Sequence, residues 1–259
     1  MKKLLKGLVV LVLSLTCLFS VGCKNKKDND SKVDTASLKT KFEDLYMALD
    51  TIEYNEFSIT YEEKTGIQRQ KVEMEYDAIN GEFHCYEDLE EYTTGGDHYV
   101  KDVHIWVDDT DVIYAVSYYR PGYNNNIAIK QYTVDTYYSN EEALEYFNEQ
   151  FENFSGDDWE TFLYPNTPDV FVIGLNDEHL GMFKDCITDK NAKVTVKTNS
   201  ATKLDVSMQY GESGSYSIVV ENGYVTSYTQ KDVIGEFKYT YSSTSSFEIP
   251  SLTGYNQVG

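Results

Sequence analysis

The chain has 259 residues, with 43 acidic against 22 basic side chains, a formal charge of −21 and only two arginines, Arg69 and Arg120. Neutralising phosphates requires clustered Lys and Arg, so this balance excludes nucleic acid as a partner and argues against the folded surface lying flat on an anionic membrane. The length suffices for one domain with a real core, and the compositional anomaly is tyrosine, 23 residues beside 12 phenylalanines and 2 tryptophans.

Residues 1–22 have the layout of a secretory signal. Lys2, Lys3 and Lys6 form a basic head, and Leu8 to Val21 is an apolar run shorter than the roughly 20 residues a membrane span needs. The exit, Ser20-Val21-Gly22-Cys23, resembles the lipobox of bacterial lipoproteins; Gly22 fits that pattern, and Ser20 stands where it prefers Leu. The resemblance implies that Cys23 carries a diacylglyceryl group and holds the chain on the extracytoplasmic face of the cell membrane. The alternative is cleavage nearby, leaving Cys23 a free thiol. Residues 23–36 lack any apolar run or aromatic residue and read as a disordered tether; residues 37–259 read as a single domain.

Leu38, Phe42, Leu45 and Leu49 recur at helical spacing and predict a helix over 36–52. The period then changes to two. Phe57, Ile59 and Tyr61, then Val72, Met74 and Tyr76, alternate with polar residues; Asn80-Gly81 marks a hairpin turn before Phe83 and Cys85. Val103, Ile105 and Val107 form the next strand, followed by strands over 111–119 and 127–134. Ser139, with Glu142 three residues on, opens a second helix whose apolar stripe is Leu144, Phe147, Phe151 and Phe154. Residues 159–180 are ambiguous between a short helix and a buried strand. Strands follow at 192–198, 204–210, 215–221, 224–230 and 235–242, with Asn222-Gly223 a second hairpin signal, and Ile249-Pro250 suggests a final edge strand. The fold class expected is α+β: a single curved antiparallel β-sheet, half-barrel-like, with helices packed on one face.

This order of elements, ending on Tyr239, Tyr241, Ile249 and Pro250, is similar to the LolA/LolB and LppX/LprG type of envelope lipoprotein. The resemblance implies a half-barrel closed by helices around an apolar ligand such as lipid, and hence a carrier or binding protein and not an enzyme.

Chemistry-bearing residues are few. The histidines are His84, His98, His104 and His179, and no nucleophile-elbow, zinc-protease, Cys-x-x-Cys or phosphate-loop motif is present. Nucleophile–base pairs can be imagined, for example Cys186 with His179; Cys85 and His84, being adjacent on a strand, face opposite ways. Asp108, Asp109 and Asp111 lack the glycine and distal glutamate of a calcium loop and read as a solvated turn, as does Asp177-Glu178-His179. No catalytic residue, metal or cofactor is expected. Cys85 and Cys186 are either a disulfide or two buried thiols. The tyrosines either build the sheet or line a contact surface. For the second case the candidates are Tyr118, Tyr119, Arg120 and Tyr123, an aromatic loop that could serve adhesion or scaffolding, with Phe147 and Phe151 as ligand contacts beneath the second helix. Tyr224 and Tyr228 share a strand face.

Overall fold

The computed structural model describes residues 33–121, 127–152, 168–210 and 214–259. Cys23 and Tyr123 lie outside them, and the side chain of Phe151 is likewise outside what is described.

Helix α1 (Thr35–Ala48) begins within the stretch read as tether. Its cap is Asp34, whose carboxylate accepts the Ser37 N–H at 3.1 Å and satisfies one of the donors a first turn leaves open. A 3-10 turn, Leu49–Thr51, ends it. Six strands follow as a meander: β1 (Glu56–Thr65), β2 (Gln68–Asp77), β3 (Glu82–Glu91), β4 (His98–Asp108), β5 (Asp111–Arg120) and β6 (Ile127–Thr136). After α2 (Asn140–Glu152) and α3 (Pro168–Cys186), a second meander comprises β7 (Ala192–Asn199), β8 (Lys203–Tyr210), β9 (Gly214–Glu221), β10 (Tyr224–Lys231) and β11 (Gly235–Ser242). β1 pairs antiparallel with β11, and β12 (Asn256–Gln257) adds parallel to β6. The result is one open twelve-stranded sheet, order β12-β6-β5-β4-β3-β2-β1-β11-β10-β9-β8-β7, in an α+β chain.

Register explains the core. Val116, Val103, Cys85, Met74, Ile59 and Tyr241 lie opposite one another across successive strands, and Tyr239, Tyr228, Ile218 and Val206 continue the row through the second meander. All are buried. Because side chains alternate across a strand, this places one apolar face along the whole sheet. The helices pack on that inner face: Phe147 of α2 stacks on Tyr76 at 6.2 Å, and Phe42 of α1 meets Phe183 of α3 at 5.3 Å.

Two expectations are corrected, the polar turn at Asp177-Glu178-His179 and the edge strand at Ile249-Pro250. Residues 168–186 are a helix, so Asp177-Glu178-His179 is helical and not a turn. The buried positions Val172, Asn176, His179, Leu180 and Phe183 fall on one helical stripe. Two of them are polar, while Ile173, Leu175 and Met182 lie outside the stripe, and this blurs the period. The Asn80-Gly81 turn spans residues 78–81, pinned by Asp77, whose carboxylate accepts the Ile79 and Asn80 N–H groups; only Gly81 has positive φ, +68°. Asn222-Gly223, with φ of 51° and 91°, is the two-residue hairpin expected. Ile249-Pro250 forms no strand; the tail from Ser243 crosses the outer face of the first meander before β12 pairs with β6. Of the two alternatives for Cys85 and Cys186, the structure has free thiols, Cys85 buried and Cys186 half-buried. Cys85 sits on β3, and Cys186 is near Tyr216 of β9, five strand steps away, about 24 Å along the sheet, far beyond the reach of a disulfide.

Candidate functional site

Of the residues named for an aromatic loop, Tyr118 and Arg120 share the inner face and interact, while Tyr119 turns away from them. Tyr118 faces inward beside Tyr99 at 6.0 Å, whereas Tyr119 points to the outer face and is 42% exposed. Arg120 donates from Nε and Nη2 to both carboxylate oxygens of Asp97, at 2.7 and 2.8 Å. Phe147 is fully buried in the α2–sheet contact. Tyr224 and Tyr228 both turn to the inner face despite a register shift between Val225 and Ser227, Tyr224 against Tyr54 and Tyr228 against His179 of α3.

The interior beneath α3 is where polar chemistry collects. His179, on the helix face turned to the sheet, stacks flat on Tyr228 of β10, with centroids 3.7 Å apart and planes 7° from parallel, and lies 5.4 Å from Tyr239 of β11. One turn earlier, Asn176 donates from Nδ2 to the Tyr54 hydroxyl at 2.9 Å. Tyr54 in turn meets Phe57, Tyr224 and Tyr241 edge-on at 5.9–6.1 Å. In this aromatic setting four buried polar atoms have no hydrogen-bond partner among the described residues: Asn176 Oδ1, His179 Nδ1, His179 Nε2 and Tyr239 Oη. Burial lowers the His179 pKa to about 3, so the ring is neutral, and burial, with Tyr54 and Tyr241 adding to it, raises that of Tyr239 well above the ordinary range. The Tyr228 hydroxyl is satisfied, donating to Gln230 Oε1 at 2.6 Å.

The imagined Cys186–His179 pair does not form. Both are on α3, seven residues and about 10 Å of helix apart. Burial, then Asp185 and Asp189, raises the Cys186 pKa, and burial pushes the Cys85 thiol up to about 12, so neither is a ready thiolate. The Asp108–Asp111 turn is engaged locally: Asp111 accepts from Thr136 at 2.7 Å, and the Asp109 carbonyl from Asn140 at 2.8 Å.

On the outer face the strand register brings together a group that motif reading missed. His84 of β3 lies opposite His104 of β4, and Asp102 is two residues before His104 on the same face. Asp102 Oδ1 is 2.9 Å from His84 Nε2 and 3.1 Å from His104 Nε2; the two imidazoles stack at 4.2 Å. Burial opposes ionisation of Asp102, but hydrogen bonds from His104 and His84, with their charge, hold its carboxyl well below the usual range. Among the described residues these three are the group placed to hold a metal ion. The signal was a histidine pairing readable only once the register was known. A surface hollow, by contrast, is lined by mixed charges including Glu62, Lys64, Arg69 and Glu236, and offers nothing to an apolar ligand.

No protein-family model matches the chain, and no curated protein matches it.

Proposed function

We propose that this is an extracytoplasmic lipoprotein, anchored through Cys23, whose sheet curves as a half-barrel and whose inner face, beneath α3, binds or carries an apolar ligand such as a lipid. The observation that carries the reading is the set of orphan polar atoms on Asn176, His179 and Tyr239 inside an aromatic interior. Ligand sites combine an apolar lining with a few convergent polar groups that fix orientation. A core serving stability alone has no use for donors and acceptors left unpaired, each costing about 1–3 kcal/mol. A ligand with an apolar body and a polar head would satisfy these atoms, with tyrosine and phenylalanine rings along its chain. The interior is closed around them, so entry requires α3 to lift from β10 and β11. No helix of the described residues is long and apolar enough to cross a membrane.

Two measurements test this. Solvent extraction of the native protein followed by mass spectrometry is expected to release a stoichiometric lipid, which also displaces a fluorescent fatty acid from the delipidated chain. Absence of both would overturn the ligand reading. Metabolic labelling with palmitate is expected to mark the wild type and not Cys23→Ala; label on the variant would overturn the anchor.

A further inference from the structure

We propose that His84, Asp102 and His104 form a binding site for a divalent transition-metal ion of the zinc class on the outer face of the sheet, with Glu75 as the residue that orients His84. The pleat sets the geometry. Directly opposed residues on antiparallel strands and residues two apart on one strand share a face, so three side chains from β3 and β4 converge without help from a loop. Ligands around a tetrahedral zinc at about 2.0–2.1 Å are separated by about 3.4 Å; the ring nitrogens here stand 2.9 and 3.1 Å from the carboxylate oxygen, within about half an ångström of that spacing.

Both nitrogens converge on the same oxygen, Oδ1, instead of dividing between the two. Two imidazoles and one carboxylate are a donor set suited to borderline cations, and three protein ligands leave a further position open. To bind an ion, each Nε2 must present a lone pair, so the ring proton must reside on Nδ1. For His84 the group facing Nδ1 is Glu75 Oε2, at 3.8 Å, longer than a hydrogen bond; a small shift of either side chain on ion binding would let this carboxylate accept that proton and fix the tautomer. Glu75 is itself held by the C-terminal tail, accepting from the Ser246 hydroxyl at 2.7 Å and its N–H at 3.2 Å, while Phe247 meets the His104 ring edge-on at 5.9 Å. The site thus has ligands, an orienting outer carboxylate and a partial cover. Glu56, Asp77 and Glu82 lie on the neighbouring rungs of the same face and supply a field favourable to cations. His104 and Glu75 are 12% and 19% exposed at the side chain, so the group is recessed yet reachable.

The test titrates the tag-free, chelator-stripped mature chain with zinc chloride and, separately, cobalt chloride. One equivalent of either ion should bind. The cobalt form should show the intense visible absorption of a four-coordinate ion, and the melting temperature should climb with free zinc and fall back on chelation. His84→Gln and His104→Gln should each abolish stoichiometric uptake. Glu75→Gln should keep one equivalent while weakening it about 10–100-fold. His98→Gln should change nothing. Near-ultraviolet circular dichroism of each stripped variant separates loss of the site from loss of the fold. No stoichiometric uptake by the wild type, or unchanged uptake by a folded H84Q/H104Q variant, overturns the proposal.

Discussion

At the scale of single residues, the polar groups on the inner face divide into paired and unpaired, and the two kinds have opposite consequences. Lys101 and Glu87 are buried on the inner face of β4 and β3 and are joined at 2.8 Å, with Gln70 donating to the same carboxylate at 2.8 Å. Removing one member of such a pair strands the other charge. Lys101→Met should therefore cost about 3–5 kcal/mol in a denaturant melt, and adding Glu87→Met should recover most of it. His179 is the reverse case, since neither ring nitrogen has a partner. His179→Phe keeps the stacked ring on Tyr228 and removes the orphans, so it should stabilise the chain by about 1–3 kcal/mol. Unfolding returns His179 to its ordinary pKa of 6.5, so below that pH the unfolded chain takes up a proton that the folded chain refuses until about pH 3. The stability due to this residue falls as pH drops through that window, by about 1.4 kcal/mol per unit. Urea melts between pH 7 and 4.5 should show a steeper loss for wild type than for H179F; equal slopes would mean that the ring is not buried neutral. If the interior binds a ligand through these nitrogens, the same variant gains stability and loses affinity.

At the scale of elements, sequence and structure agree where a pattern is local. The second helix begins at Ser139, whose hydroxyl accepts the Glu142 N–H at 3.2 Å, while Glu142 reaches back to the Tyr138 N–H at 2.9 Å, one residue beyond the usual box. The strands were legible because one face of each is apolar. α3 was not, because its inward stripe contains Asn176 and His179, the same residues that make the candidate site. Helix and function were obscured together. The outer histidine group was legible only as isolated letters, since His84 and His104 become neighbours through register. The turn before β3 shows what such local features carry. Gly81 has a positive φ, and a Cβ added there would stand 2.5 Å from Val107 Cγ2 and 2.7 Å from Leu144 Cδ2. Gly81→Ala combines backbone strain with a collision at the α2–β4 contact, so it should destabilise by about 2–4 kcal/mol. Gly174→Ala, in the exposed interior of α3 with open space around it, should instead stabilise by about 1 kcal/mol. Thermal melts of the two variants should shift in opposite directions.

At the scale of the whole molecule, two meanders of local hairpins are joined by one long-range pairing, β1 with β11, and the C-terminal tail is what reaches back over the first of them. Ser245 donates to Glu56 of β1 at 3.0 Å, Ser246 to Glu75 of β2, Phe247 meets His104 of β4, and Asn256 pairs beside Gln131 of β6. The tail therefore spans the outer face that alternation alone would leave to water. On that same face Trp106 and Ala115 point outward from β4 and β5 and yet are 3% and 0% exposed. Deleting residues 243–259 should uncover them. In a Trp159→Phe background, which leaves Trp106 as the sole tryptophan, the emission maximum should move to longer wavelength in the folded state. Stability should fall by about 2–4 kcal/mol from the exposed indole and lost tail contacts. The β1–β11 seam does not involve the tail, so far-ultraviolet dichroism should keep its strand signature. A deletion variant whose Trp106 emission stays blue would show that the outer face is sealed by something other than the tail. The same truncation removes the hydrogen bonds from Ser246 to Glu75, so any zinc affinity at His84 and His104 should drop to the level of Glu75→Gln, tying the cover and the metal site to one element.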